Sequence, residues 1–318
     1  TEYVYPDGAG SMRTLHRAIV TGATGAVGTA LVRVLAERDI AVTVLCRPGS
    51  VRRENIPQHP RVRVCFADLT RLREAAVELD DSCDAFFHLA WTGTVGAARN
   101  DMFQQNKNVE YALEAVELAA SLGCKIFVGA GSQAEYGRVE GKLCADTPVF
   151  PENGYGIAKL CAGQMTRIAC AQKGIQHVWA RILSVYGPYD NPNSMVMSGI
   201  SALLRGECPR YTPGEQEWDY LYSEDAAQAL LLMAEKGKSG MVYPLGSGQT
   251  QRLKNYIAAI RDAVNPALPV ALGALPYPEN QVMYLCADIS SLTQDVGFRP
   301  RVSFEEGIQK TVDWAKGR

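Results

Sequence analysis

The sequence lacks any apolar run long enough to cross a membrane. Its longest stretches, such as residues 226–234, are about half of the roughly 20 residues that a transmembrane helix needs. It also lacks an excess of either charge, because 32 basic and 34 acidic side chains give a net charge of -2. Such a chain has no electrostatic reason to bind nucleic acid or an anionic membrane. We therefore expect neither as a partner.

Metal-binding and disulfide patterns are missing as well. The nine cysteines are odd in number and form no CxxC pair, and the four histidines show no zinc-ligand spacing. Several cysteines fall inside predicted strands or helices, which favours buried free thiols and a cytoplasmic protein over disulfides or metal sites. Residues 1–12 are polar and glycine-rich, and we interpret them as a tag or disordered segment outside the fold.

Short β-branched runs alternate with helical stretches from residue 16 onward. This pattern predicts an α/β fold, a Rossmann doubly wound parallel sheet over residues 13–185. Prolines and short isolated elements then predict a smaller C-terminal α/β substrate-binding lobe over residues 186–318, with later segments returning to the first domain. The predicted strands are 17–21, 41–46, 62–67, 85–90, 125–130 and 177–183, and the predicted helices are 26–38, 101–122 and 155–173.

The first predicted strand runs into a turn with three regularly spaced glycines. Gly22 allows a sharp turn, Gly25 lets backbone amides approach a pyrophosphate, and Gly28 packs the next helix close to the sheet. The start of that helix adds partial positive charge for phosphate groups. Because the glycines follow a strand and open a helix, we predict dinucleotide binding here. The turn residues assigned to the cofactor are Gly22, Thr24, Gly25, Ala26, Val27 and Gly28.

The end of the second predicted strand lacks the acidic residue that usually binds the ribose 2′-hydroxyl of NAD. Arg47 stands there instead, with Arg52 and Arg53 nearby. An arginine accommodates the 2′-phosphate of NADP, so we predict NADP(H), with NAD(H) as the alternative and a solvated basic loop as the non-functional interpretation. Asp68 and Leu69, which end the third strand, are expected to flank the adenine.

Three residues predict acid/base chemistry at one carbon. Tyr155 and Lys159 are four positions apart on one face of a predicted helix, where the ammonium group lowers the pKa of the phenol. Such a pair is common by chance. Ser132, however, follows the fifth predicted strand, at the carboxyl edge where ligands of doubly wound sheets bind. Together the three hydroxyl and amine groups indicate a catalytic site.

These motifs, in this order, resemble the extended short-chain dehydrogenase/reductase family of nucleotide-sugar epimerases, dehydratases and ketoreductases. The resemblance runs from Ile19 to Trp314. It implies that Tyr155 exchanges a proton with the reacting oxygen, that Ser132 hydrogen-bonds that oxygen, and that Lys159 holds the nicotinamide ribose. The sequence is therefore expected to encode an NAD(P)-dependent oxidoreductase.

The resemblance also implies contacts at less specific positions. Asn108 is expected to support a proton-relay water or to be a buried amide, and Tyr136 to stack on the sugar or to pack at the strand end. Implied cofactor contacts include Leu89, Ala90 and Asn108, and implied substrate contacts are Trp91, Ser132, Gln133, Tyr136, Ser184 and Trp218. A homodimer formed through helices 101–122 and 155–173 is a further expectation by analogy.

Departures from family patterns narrow the reaction. The 4,6-dehydratases carry an Asp–Glu pair directly after the active hydroxyl, where this chain has Gln133 and Ala134. GDP-fucose synthases place a cysteine two residues after the serine and a histidine after the YGP segment, where Ala134 and Tyr189 stand here. The reactions left are 4-epimerisation and 4-ketoreduction, and Arg47 in place of an acidic residue favours the reaction that consumes NADPH. We therefore predict an NADP(H)-dependent 4-ketoreductase acting at C4 of a nucleotide-linked keto sugar.

Several alternatives stay open. A nucleotide-sugar 4-epimerase is the first, followed by a reductase of a small non-nucleotide carbonyl and a non-catalytic NADP-sensing protein. Trp218 stands where many relatives have an arginine that binds the substrate diphosphate. The candidate substitutes for that arginine are Arg205, Arg210 and Arg252. The segment 280–284 is similar to the CDP-dideoxyhexose 4-reductases, which favours the reductase.

Overall fold

Seven parallel strands form the central sheet of the computed structural model, which describes residues 12–79 and 82–318. In chain order, the strands of this sheet and of the two smaller sheets are β1 (Arg17–Thr21), β2 (Ala41–Cys46), β3 (Val62–Phe66), β4 (Ala85–His88), β5 (Ile126–Ser132), β6 (Gln176–Ile182), β7 (Ser184–Tyr186), β8 (Glu217–Trp218), β9 (Tyr220–Tyr222), β10 (Val242–Leu245), β11 (Gln251–Arg252) and β12 (Tyr284–Leu285). The order across the sheet is β10-β6-β5-β4-β1-β2-β3. The winding reverses between β1 and β4, so the doubly wound sheet expected from the sequence is confirmed.

Helices cover both faces of this sheet because successive strand residues point to opposite sides. Ile19 of β1 belongs to the core on one face, and its neighbour Val20 belongs to the core on the other. In chain order, the α-helices of the described residues are α1 (Ala26–Glu37), α2 (Met102–Ser121), α3 (Gly154–Gln172), α4 (Met195–Leu204), α5 (Ser223–Lys236), α6 (Leu253–Val264), α7 (Ser290–Val296) and α8 (Phe304–Lys316). Helix α1 packs against α5, and α2 packs against α3.

Two predicted strand ends need correction, and both lie at the carboxyl edge of the sheet. Strand β4 ends at His88 rather than at residue 90, because the N–H groups of Leu89 and Ala90 donate to the hydroxyl of Thr21. Strand β5 extends to Ser132 rather than ending at residue 130, because its last residues pair with β6. The other predicted ends lie within one residue of the observed ones.

The second half of the chain builds a smaller lobe and also returns to the first. Strands β11, β8 and β12 form a three-stranded sheet, and β7 pairs with β9. Helices α4, α6 and α8 pack around an aromatic core that includes Tyr186, Tyr256 and Phe304. Strand β10 joins the central sheet beside β6, and α5 packs there as well. The predicted boundary at residue 186 stays a prediction, and residues 1–11 of the predicted tag lie outside the described residues.

All nine cysteines are free thiols, as the odd count and spacing predict. Six are buried, but Cys161 and Cys208 are exposed, which corrects the expectation that the thiols are buried throughout. Within residues 12–79 and 82–318, no helix is both long and apolar enough to cross a membrane.

Candidate active site

The glycine turn between β1 and α1 is packed so closely that two of its glycines admit no side chain. Gly22 has a φ of 74°, and a Cβ there would lie 2.6 Å from the backbone nitrogen of Ala90. A Cβ on Gly28 would overlap the carbonyl oxygen of Gly22. Gly25 differs, because a Cβ there would meet no atom of the described chain within 4 Å. It precedes the first turn of α1 without a side-chain cap, which leaves backbone N–H groups for an anion.

A cavity of about 510 Å³ extends from this turn across the ends of β2, β3 and β4. The sequence-predicted cofactor residues that line it are Gly22, Thr24, Gly25, Arg47, Asp68, Leu69, Leu89 and Ala90. Hydrogen bonds from Thr70 hold the pKa of the Asp68 carboxyl below its usual value, and the charge of Arg47 adds to this effect. The cavity thus has the shape and residues to accept an adenine dinucleotide.

Arg47 is the uncommitted arginine of the three near β2. Arg52 donates to the carbonyl oxygen of Tyr189 at 2.8 Å, and the guanidinium carbon of Arg53 lies 5.3 Å from the centre of the Phe66 ring. The exposed guanidinium of Arg47 makes no hydrogen bond or ion pair to the part of the chain that the structure describes. A charge in this position is free to bind an anionic group.

The three predicted catalytic residues come together in an adjoining cavity of about 390 Å³. Ser132 is the last residue of β5, and Tyr155 and Lys159 lie on successive turns of α3, whose N-cap Asn153 accepts from the N–H of Gly156. Burial raises the pKa of Tyr155, while its hydrogen bond with Ser132 opposes the rise. The phenol and the serine hydroxyl can therefore act on one oxygen.

Lys159 is enclosed beneath the tyrosine. Its Nζ donates to the carbonyl oxygen of Ala130 at 2.6 Å, lies 3.9 Å from the centre of the Trp91 ring, and lies 5.8 Å from that of Tyr155. Burial lowers the pKa of this lysine to about 7, although the charge of Glu135 works against the decrease. The ammonium group is thus close to losing its proton at neutral pH.

Glu135 is a functional residue to which the sequence analysis assigned no role. Its carboxylate is fully buried and accepts from the N–H of Ser132 at 2.8 Å, from the indole of Trp179 at 3.0 Å, and from Arg181 at 2.7 Å. Ser132 and Glu135 also form a capping box, and this Ser-x-x-Glu spacing was the signal in the sequence. The carboxylate therefore fixes the backbone of Ser132.

A third cavity, of about 500 Å³, lies between the catalytic residues and the smaller lobe. Gln133 lines both this cavity and the catalytic one, and its Oε1 is buried without a hydrogen-bond partner among the described residues. Trp218 lines it too and donates its indole N–H to the hydroxyl of Ser184 at 2.8 Å. Arg99 and Arg138, which the sequence analysis missed, line it as well, and Arg138 is paired there with Glu152.

Two predicted contact residues have structural partners instead. Tyr136 is 1% exposed and donates its hydroxyl to the carbonyl oxygen of Cys144 at 2.9 Å, which is the packing position rather than the sugar-stacking one. The amide of Asn108 is buried, donates to the carbonyl oxygen of Thr92 at 2.8 Å and accepts from the Thr92 N–H at 3.0 Å. Asn108 thus shapes the segment after β4 that lines the cofactor cavity.

The three arginines considered as substitutes for the diphosphate ligand do not line these cavities. Arg205 pairs with Glu207 and Arg252 with Glu215, at 2.8 and 3.0 Å. Arg210 donates to the carbonyl oxygen of residue 274 at 2.9 Å. Each side chain is thus engaged on the surface of the smaller lobe, and none of the three is placed to bind a diphosphate in these cavities.

A Rossmann sheet, a glycine turn at a dinucleotide-sized cavity, and Ser132, Tyr155 and Lys159 at the carboxyl edge define an NAD(P)-dependent enzyme of the extended short-chain dehydrogenase/reductase type. The chain belongs to the NAD dependent epimerase/dehydratase family, whose model matches residues 18–246. The family and enzyme class expected from the sequence are confirmed.

Individual relatives are distant in sequence. The dTDP-glucose 4,6-dehydratase of Salmonella typhimurium is 28% identical over 179 residues, which cover 53% of this chain and 48% of that enzyme, so the match spans about half of the relative. The UDP-N-acetylglucosamine 4-epimerase from Methanobrevibacter ruminantium, solved with UDP-N-acetylmuramic acid, has a TM-score of 0.86 at 26% identity and covers 96% of this chain and 99% of its own. The UDP-glucose 4-epimerase of Thermus thermophilus, solved with NAD, has a TM-score of 0.83 at 25% identity over 95% and 99%.

Proposed function

We propose that this protein is an NADP(H)-dependent 4-ketoreductase of a nucleotide-linked keto sugar. The observation that carries the proposal is the uncommitted guanidinium of Arg47 at the end of β2, in a cavity that the glycine turn closes at its other end. The neighbouring carboxylate of Asp68 is engaged by Thr70 at 2.9 and 2.8 Å. A 2′-phosphate would therefore find the Arg47 guanidinium at the end of β2, the strand end where an acidic residue usually binds the 2′-hydroxyl of NAD.

The chain's own residues divide the remaining work. The amides at the start of α1 would bind the pyrophosphate, Arg47 the 2′-phosphate, and Asp68 and Leu69 the adenine. When bound there, the nicotinamide would be the hydride source. Tyr155 then donates its proton to the carbonyl oxygen at C4 while Ser132 hydrogen-bonds that oxygen. Lys159, whose Nζ lies 5.8 Å from the centre of the Tyr155 ring, would hold the nicotinamide ribose beside the tyrosine.

The third cavity would hold the nucleotide sugar, and residues of the smaller lobe line one side of this cavity. The unpartnered oxygen of Gln133 is suited to accept from a sugar hydroxyl, and Trp218 to cover an apolar face of the ligand. Gln133 and Ala134 replace the acid/base pair of the dehydratases, so 4,6-dehydration is not supported although half of the chain matches such enzymes.

A 4-epimerase is the second candidate, and the full-length similarity to two 4-epimerase structures favours it. An epimerase regenerates its cofactor in each cycle, whereas a reductase consumes one NADPH per product. The test is therefore mass spectrometry of the cofactor that co-purifies, followed by incubation with NADPH or NADH and a panel of nucleotide 4-keto sugars. Stoichiometric NADPH oxidation supports the reductase. Tightly held NAD and epimerised sugar without net oxidation would contradict it.

We also propose that the enzyme is a homodimer and that it works in the cytoplasm. Helix α3 exposes an apolar stripe of Ile157, Cys161, Met165 and Ile168, spaced at three or four residues, and α2 beside it exposes Phe103. Such a stripe favours burial against a second copy of the helix pair. The free thiols are what a reducing compartment maintains.

A further inference from the structure

An arginine that no sequence motif singled out lies against the catalytic tyrosine. Arg99 belongs to the 3-10 turn Gly96–Asn100, and its guanidinium carbon lies 4.4 Å from the centre of the Tyr155 ring. The side chain is half-buried, donates to the carbonyl oxygen of Thr94 at 3.2 Å, and lines the third cavity described above. No carboxylate of the described residues pairs with it, unlike Arg138 in the same cavity, which Glu152 neutralises at 2.8 Å.

The side chains around Tyr155 show which groups affect the ionisation of its phenol. The charged or hydrogen-bonding side chains that face the tyrosine or its cavity are Lys159 on its own helix, Arg99 from the 3-10 turn before α2, Ser132 at the end of β5, Gln133 and Glu135 directly after β5, Trp91 and Thr94 from the segment after β4, and Asp190 from the segment after β7. Burial raises the pKa of Tyr155 and Glu135 adds to the rise, whereas Ser132 and Arg99 lower this pKa. The carboxylate of Glu135 is already paired with Arg181 at 2.7 Å, so Arg99 is a positive charge that acts on the phenol itself.

Lys159 is not a constant source of positive charge beside the phenol. Its burial brings its pKa to about 7, so above neutral pH a growing fraction of the enzyme has an uncharged lysine. An arginine keeps its charge throughout this range. Arg99 is therefore the permanent positive charge at Tyr155.

We propose that Arg99 is a positioning residue that acts through Tyr155, because its fixed charge favours the phenolate that forms when the tyrosine gives up its proton. The inference rests on the proposed acid/base role of Tyr155. The proton that leaves the Tyr155 hydroxyl ends on the substrate oxygen, and the negative charge left on the phenol faces the guanidinium. In the reverse direction the same charge helps Tyr155 to act as a base.

The direct test is the ionisation of Tyr155 itself, which requires no substrate. An ultraviolet difference titration of wild type minus Tyr155→Phe isolates this phenol among the fourteen tyrosines of the chain. The same pair is titrated in an Arg99→Met background. We expect the Arg99→Met protein to ionise Tyr155 at a pH higher by about one unit, the lower end of the effect of a charge within 4–6 Å. Arg99→Lys, which keeps a charge, should restore part of that difference.

Arg138→Met is the matched control, because it removes a positive charge from the same cavity without contact to Tyr155. It should leave the ionisation of Tyr155 unchanged. With the substrate that the reductase assay identifies, the pH at which kcat/KM falls on the alkaline side should be higher in Arg99→Met and unchanged in Arg138→Met. Equal ionisation of Tyr155 in wild type and Arg99→Met would overturn the inference. Full turnover in Tyr155→Phe would instead overturn the proposed function.

Discussion

At the scale of single residues, the guanidinium of Arg47 carries the proposed preference for NADP(H). Arg47→Asp places a carboxylate where a 2′-phosphate would lie, and it offers an acceptor to a 2′-hydroxyl. Since a hydrogen bond to a charged group contributes about 1.5–3 kcal/mol, we expect the ratio of kcat/KM for NADPH over NADH to fall by about 10- to 100-fold. Arg53→Asp is the control, because Arg53 lies over Phe66 outside the cavity. An equal change in both variants would assign the effect to general surface charge.

Glu135 supports the site in a different way, through a buried ion pair. Glu135→Gln leaves the guanidinium of Arg181, whose side chain is 4% exposed, without its counter-charge. Breaking such a pair costs about 3–5 kcal/mol, so urea denaturation should show a correspondingly lower free energy of unfolding. Glu207→Gln, which breaks the exposed pair with Arg205, should leave stability near that of wild type. If the two variants are equally stable, the buried pair of Glu135 and Arg181 does not stabilise the fold.

At the scale of elements, two glycines of the turn between β1 and α1 serve different purposes. Gly28 is required for packing, whereas Gly25 is expected to matter for ligand binding only. Gly28→Ala would push a methyl group into the backbone of Gly22, so we expect a loss of about 1–3 kcal/mol in stability and weaker NADPH binding. Gly25→Ala meets no neighbour in the described chain, and should keep its melting temperature while NADPH affinity decreases. Calorimetry and fluorescence titration check both. A stable, tightly binding Gly25→Ala protein would show that phosphate groups do not approach there.

The same elements show what periodicity can and cannot predict. The strands of the first half were predictable because they are continuous apolar runs, as buried parallel strands usually are, and they alternate with long helical stretches. The glycine turn locates the cofactor cavity by local geometry alone. The ends of β4 and β5 were missed because they depend on partners distant in sequence, the Thr21 hydroxyl and strand β6. Strands β8, β11 and β12 have two residues each, too few to show a period.

At the scale of the whole molecule, Arg99 illustrates what the sequence could not predict. The proposed catalytic serine, tyrosine and lysine belong to local motifs, so the sequence alone is enough to suggest them. Arg99 reaches Tyr155 only because α2 and α3 pack side by side, which brings the 3-10 turn before α2 to the start of α3. Its role depends on a contact that no spacing in the sequence encodes. The outer surface of the α2–α3 pair is the surface that we propose for contact with a second copy of the chain.

The apolar stripe on α3 predicts the oligomeric state. Met165→Glu puts a charge in the middle of the stripe, where a dimer would bury it, so we expect this variant to be monomeric and the wild type dimeric by size-exclusion chromatography with light scattering. Val51→Glu is the control, since Val51 is exposed in a loop away from the helix pair. Circular dichroism establishes that both variants fold. A monomeric wild type, or a Met165→Glu protein that still dimerises, would mean that the stripe is not the interface, and the apolar side chains would then have to serve a different partner.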